Sequence, residues 1–108
     1  MILIIGGAYQ GKSDFARSLV TAEDKIIYNA HEKIRQLMRD GKDAATEFNS
    51  MLQGIDVVTC AEIGMGIVPL DEFEREWRET TGRIMCRLAK EADMVYRIVC
   101  GIAIRIKG

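Results

Sequence analysis

"ILIIGGAYQGKS", residues 2–13, decides how this chain is read. Its first four residues, Ile2-Leu3-Ile4-Ile5, form an unbroken apolar run, the pattern of a strand buried on both faces of a parallel sheet. Gly6, four intervening residues and then Gly11-Lys12-Ser13 follow with the spacing of a phosphate-binding loop. That pattern carries weight only between a strand and a helix. The next segment, "SDFARSLVTA", brings Phe15, Leu19 and Ala22 round at helical spacing, with Ala16 and Val20 beside them. Gly6, Gly7 and Gly11 allow successive backbone N–H groups to turn onto an anion. Ala8, Tyr9 and Gln10 complete the cradle, and the helix starting near Gly11 adds the positive end of its dipole. Lys12 would then reach the β- and γ-phosphates of a nucleoside triphosphate, GTP or ATP, and the Ser13 hydroxyl would ligate Mg²⁺. The plainer alternative is a glycine turn with an incidental lysine.

Composition bounds the rest. With 108 residues, the expectation is a single domain, 1–108, able to bury one core. Apolar residues make up 48% of the chain and the net charge is −1, so neither disorder nor nucleic-acid binding is expected. Cys60, Cys86 and Cys100 lie far apart, an odd number with no Cys-x-x-Cys pair. That fits reduced, buried thiols and a cytoplasmic location. No apolar run reaches the length of a membrane span, and the N-terminal run lacks the basic flank of a secretion signal.

Strand and helix signals then alternate, which predicts an α/β layer architecture with a mostly parallel sheet. "KIIYNA", residues 25–30, reads as the second strand, and a helix from His31 carries Ile34, Leu37 and Met38 to a stop at Asp40-Gly41. Another helix starts near Asp43, uses Ala45, Phe48 and Leu52, and ends at Gly54. "IDVVTCA", residues 55–61, is the third strand, and "GMGIVP", residues 64–69, is a loop. A long helix over 71–92 shows Phe73, Trp77, Ile84 and Leu88 at steps of four and seven, a core-facing stripe. Two β-rich runs meet at Gly101 within "VYRIVCGIAIRIKG", residues 95–108, and predict an antiparallel strand at the sheet edge. The small size and this edge pair lead to an expected homo-oligomer.

Two residues beyond the loop are candidates for chemistry. Glu62 lies at the carboxyl end of the third strand, the sheet edge where ligands bind. A carboxylate there can hold Mg²⁺ or accept a proton from an attacking hydroxyl. The alternative for Glu62 is a charge that merely ends a strand. His31, the single histidine, is either a nucleophile or a polar residue near a helix start, and the sequence shows no partner to orient its ring. Asp56 begins the third strand at the far end and stays outside the site.

"IIGGAYQGKS", "AEIGMGIVP" and "VYRIVCGIAIRIKG", in that order, resemble the adenosylcobinamide kinase/adenosylcobinamide-phosphate guanylyltransferase family of cobalamin biosynthesis. The resemblance rests on the first 22 residues and on those from 57 onward. It is most specific at Glu62-Ile63-Gly64-Met65-Gly66-Ile67-Val68-Pro69 and includes Gly82-Arg83 and Leu88-Ala89. It implies a P-loop NTPase-like three-layer α/β fold. It also implies an enzyme that phosphorylates the aminopropanol hydroxyl of adenosylcobinamide with a nucleoside triphosphate and then attaches GMP through a guanylylated histidine. Family members are longer, and the missing part falls between residues 30 and 55, where they carry that histidine on a helix and a further Asp-Cys-Leu-Thr-type strand. The family's Arg-Ser within the loop is replaced by Tyr9-Gln10, which removes one phosphate-neutralising charge. Lys12, Glu62 and His31 are thus the catalytic candidates, with Ser13 and Glu62 on the metal. Two classes of function stay open. One is a transferase acting on an adenosylcobinamide-like substrate, with His31 as the one residue able to accept GMP; the other is a nucleotide-binding or regulatory module without turnover.

Overall fold

The computed structural model describes residues 1–7, 10–62 and 71–108. Five strands form one sheet in the order β2-β3-β1-β4-β5: β1 (Ile2–Gly6), β2 (Ile26–Ile27), β3 (Val57–Ala61), β4 (Met94–Val99) and β5 (Ile102–Lys107). The pairs β1–β3, β1–β4 and β2–β3 are parallel, and β4–β5 is antiparallel. The continuous apolar run of β1 therefore sits between two parallel neighbours, where both of its faces need apolar cover.

Helices supply that cover from both sides. On one face, Ala16 of α1 (Lys12–Ser18), with Phe15, packs on Ile4, Ile26, Val57 and Ile98. On the other face, α2 (Ala30–Arg39), α3 (Ala44–Met51) and α4 (Glu72–Glu91) bury Ile34, Phe48, Trp77, Ile84 and Leu88 against Leu3, Val58 and Val95. The fold is thus the expected three-layer α/β arrangement, parallel except for its C-terminal edge strand. Asp71 caps α4 by accepting the Glu74 amide at 2.8 Å, and Lys107 at its other end donates to the carbonyls of Ala89 and Lys90 at 2.9 and 2.7 Å.

Several boundaries differ from the sequence reading. The second strand keeps two residues instead of six, because Asn29 adopts the left-handed conformation (φ 53°) and its N–H leaves the ladder to donate to Thr59 Oγ1 at 2.9 Å. Helix α1 is shorter than the apolar spacing suggested: it ends at Ser18, whose Oγ donates to the Phe15 carbonyl, and Leu19, Val20 and Ala22 lie beyond it. Of the three cysteines, Cys60 alone is buried; Cys86 is on the outer side of α4 and Cys100 is in the β4–β5 turn, so both are exposed. The apolar side of β5 is also open, with Ile102, Ile104 and Ile106 about half exposed or more (65%, 48% and 57%). The readings for Ala8, Tyr9 and the 64–69 loop fall outside the described residues.

Candidate functional site

The carboxyl ends of β1, β2 and β3 open on a cavity of about 410 Å³ lined by Gln10, Gly11, Lys12, Ser13, Asp14, Asn29, His31, Glu32 and Ala61. Two chain reversals build it. After β1 the backbone passes Gly6, which has β4 so close that a Cβ would stand 2.7 Å from the Ile98 carbonyl oxygen. It then reaches Gly11, whose φ of 92° favours glycine. After β2, Asn29 turns the chain into α2 and places His31 in that helix's first turn. Of the predicted loop residues, Gln10, Gly11, Lys12 and Ser13 thus share one crevice with the histidine.

Lys12 is buried, and its ammonium donates to the carbonyl of Gly7 in its own loop at 2.6 Å. Burial lowers its pKa below the ordinary lysine value, against the opposing pull of Cys60 and Glu62. The lysine is therefore a cation that, among the described residues, is held by the Gly7 carbonyl oxygen, a partner that an anion's oxygens can replace. Gln10 does more than line the cavity: its backbone carbonyl accepts the Gly101 amide at 3.1 Å and its Oε1 accepts the Cys100 amide at 2.5 Å. The loop is thereby tied to the β4–β5 turn, where Cys100 and Gly101 both have positive φ.

His31 is held from both sides. The Ala61 amide donates to its Nδ1 at 3.1 Å, and its own carbonyl accepts from Trp77 Nε1 at 2.9 Å. The ring is 13% exposed and its Nε2 lies 3.7 Å from Glu32 Oε1, beyond hydrogen-bond range. Burial lowers its pKa, Glu32 opposes this, and the Lys12 and Arg35 charges push the same way as burial, so the ring is neutral at pH 7. The orienting partner that the sequence could not supply is a backbone amide from the neighbouring strand.

Glu62 stands apart from this group. Its carboxylate accepts from Arg97 Nε and a second guanidinium nitrogen at 2.7 and 3.1 Å, a two-pronged pair. Both residues line a separate cavity of about 380 Å³ on the α4 side of the sheet, with Ile5, Cys60, Thr81 and Met85. The sequence reading missed Arg97. Its one sign in the sequence is a lone charge within the strand "MVYRIV", near the sheet edge where Glu62 follows the third strand. Among the described residues no three His, Cys, Asp or Glu side chains are grouped to hold a metal ion. No helix among them is long and apolar enough to cross a membrane.

A parallel sheet with helices on both faces, a glycine-rich turn after its central strand and a crevice at the strand ends define a P-loop NTPase-like α/β protein. The chain belongs to the cobinamide kinase / cobinamide phosphate guanyltransferase family, whose model matches residues 29–106. That range takes in His31, Glu62 and the β4–β5 pair; the loop at 6–13 precedes it. The chain is similar to the bifunctional adenosylcobalamin biosynthesis protein CobU of Salmonella typhimurium, 45% identical over 51 residues, and to that of Escherichia coli, 41% identical over 51 residues. In both cases the match covers 47% of this chain and 28% of the relative, so the matched stretch spans under a third of their length.

Proposed function

We propose that this chain binds a nucleoside triphosphate, GTP or ATP, in the crevice lined by Gln10, Gly11, Lys12, Ser13 and His31, and uses it for the kinase half of the family's chemistry. That step is phosphoryl transfer to the hydroxyl of a cobinamide-like alcohol in adenosylcobalamin biosynthesis. The observation that supports this reading is Lys12, a buried ammonium that donates to the Gly7 carbonyl beside Ser13 at a cavity the two residues line. In the reaction the alcohol oxygen bonds to the γ-phosphorus as the bond to the bridging oxygen breaks. The nucleoside diphosphate leaves, the hydroxyl proton passes to solvent, and Lys12 offsets the charge on the phosphate oxygens. Mg²⁺ is coordinated largely by phosphates and water, so one protein hydroxyl, Ser13, is a fitting donor for it, and when bound it neutralises the same charge. Glu62 joins that centre only if Arg97 releases it.

The pairing of Glu62 with Arg97 favours a second reading, a nucleotide-binding module without turnover. Calorimetry with GTP and ATP, repeated on Lys12→Ala, tests what the two readings share. The variant should stay folded and bind roughly 10–100-fold more weakly, on the scale of a charge-assisted hydrogen bond lost. Equal affinities in two folded proteins would remove the phosphate-loop assignment. Nucleotide hydrolysis with and without adenosylcobinamide then separates the two, because a substrate-stimulated rate belongs only to the kinase.

A further inference from the structure

We propose that His31 serves the crevice as a neutral hydrogen-bond donor to a phosphate oxygen, through Nε2–H, and does not act as a covalent acceptor of a nucleotidyl group. The proposal rests on reading the crevice as a triphosphate site and assigns the role of one residue within it.

The amide of Ala61 fixes the tautomer of the ring. A backbone N–H can only donate, and this one is directed at Nδ1 at 3.1 Å, so Nδ1 presents its lone pair. In a neutral imidazole the single ring proton then resides on Nε2. The ring cannot easily exchange these roles, because both neighbours that fix its place are main-chain or core groups. Ala61 is locked in the β3 ladder opposite Gly6, and the His31 carbonyl is bound by the indole of Trp77, itself only 5% exposed. The outward nitrogen is therefore a donor facing a cavity that also holds Lys12 and Ser13.

This assignment decides between two chemistries. Attack on an α-phosphorus needs a lone pair on the attacking nitrogen and the proton on the other one. With Nε2 as the attacking atom, the proton would sit on Nδ1, pointing at the Ala61 N–H 3.1 Å away. Two donors would face each other with no acceptor between them. Donation from Nε2–H to an anionic oxygen needs no such rearrangement and adds a directional contact to the point charge of Lys12.

Three measurements test the assignment. First, long-range ¹H–¹⁵N spectra of the nucleotide-free protein, labelled on histidine, should show Nε2 protonated and Nδ1 bare near neutral pH; the reverse pattern would overturn the proposal. Second, His31→Asn retains an oxygen near the Nδ1 position to accept the Ala61 amide but has no group at Nε2. It should unfold at nearly the wild-type urea concentration and bind GTP about 10–100-fold more weakly, as for one lost hydrogen bond to a charged group. His31→Gln, with an amide N–H near the Nε2 position, should recover part of that loss. Unchanged affinity in His31→Asn, while Lys12→Ala still loses binding, would discard the donor role and leave the phosphate loop standing. If the wild type itself binds no GTP, both fall. Third, incubation with GTP and Mg²⁺ should yield no GMP adduct by intact-protein mass spectrometry. A GMP-sized increment that vanishes in His31→Asn would reverse the assignment.

Discussion

Cys60 lies one residue before the amide that holds His31, and burial pushes its thiol up to about 11 from 9.0. The folded state therefore favours the neutral thiol. The stability this contributes is complete below pH 9 and is lost as the pH climbs through 11. The urea midpoint of the wild type should accordingly fall more steeply over that window than that of Cys60→Ala, while parallel slopes would mean that the thiolate is tolerated in place. Alkylation near neutral pH gives an independent check: Cys86 and Cys100 are exposed and Cys60 is buried, so intact mass should show two adducts in the folded protein and three in denaturant. At this scale the sequence was legible where one residue type has few uses. The Gly-Lys-Ser triplet could be placed at the start of α1, where Gly11, Lys12 and Ser13 line the crevice. The partners of His31, Glu62 and Gln10 could not, because Ala61, Arg97 and Cys100 meet them only through sheet pairing and the hairpin turn.

Helices α2 and α4 meet along a seam that also fixes the histidine. The Arg35 guanidinium lies 3.9 Å from the Trp77 ring centre and 3.2 Å from Glu74, and the Trp77 indole N–H reaches the His31 carbonyl. Trp77→Phe should destabilise the fold by about 1–3 kcal/mol, because it leaves a part-buried carbonyl without its donor and thins the stack under Arg35. It should also broaden the His31 ring signals in the same ¹⁵N spectra. An unchanged ring spectrum would confine the tryptophan to packing. The stripe that identified α4 predicted its buried face well, since apolar spacing is a local property. The extent of β2 was not local: "KIIYNA" has the composition of a full strand, yet Thr59, about thirty residues on, captures the Asn29 amide and stops the ladder after Ile27.

Across the whole molecule the sheet is unevenly covered. Ile98 on β4 is buried beneath α1, whereas Ile104 on β5 is half exposed. Ile98→Ala should cost about 2–4 kcal/mol in urea denaturation and Ile104→Ala less than about 1 kcal/mol. A large loss at Ile104 would mean that its face is covered in solution. The central strand has a further consequence for how the protein is made. Strand β1 pairs with β3 and β4, which begin at residues 57 and 94, and the turn that clamps Gln10 is formed by Cys100 and Gly101. During synthesis the segment Ile2–Gly6 thus emerges before either of these partners, an apolar ribbon needing shelter from other nascent chains until β3 and β4 follow. The turn bearing Gln10, Lys12 and Ser13 likewise emerges before the β4–β5 hairpin that clamps it, so this mouth of the crevice is translated ahead of its own support.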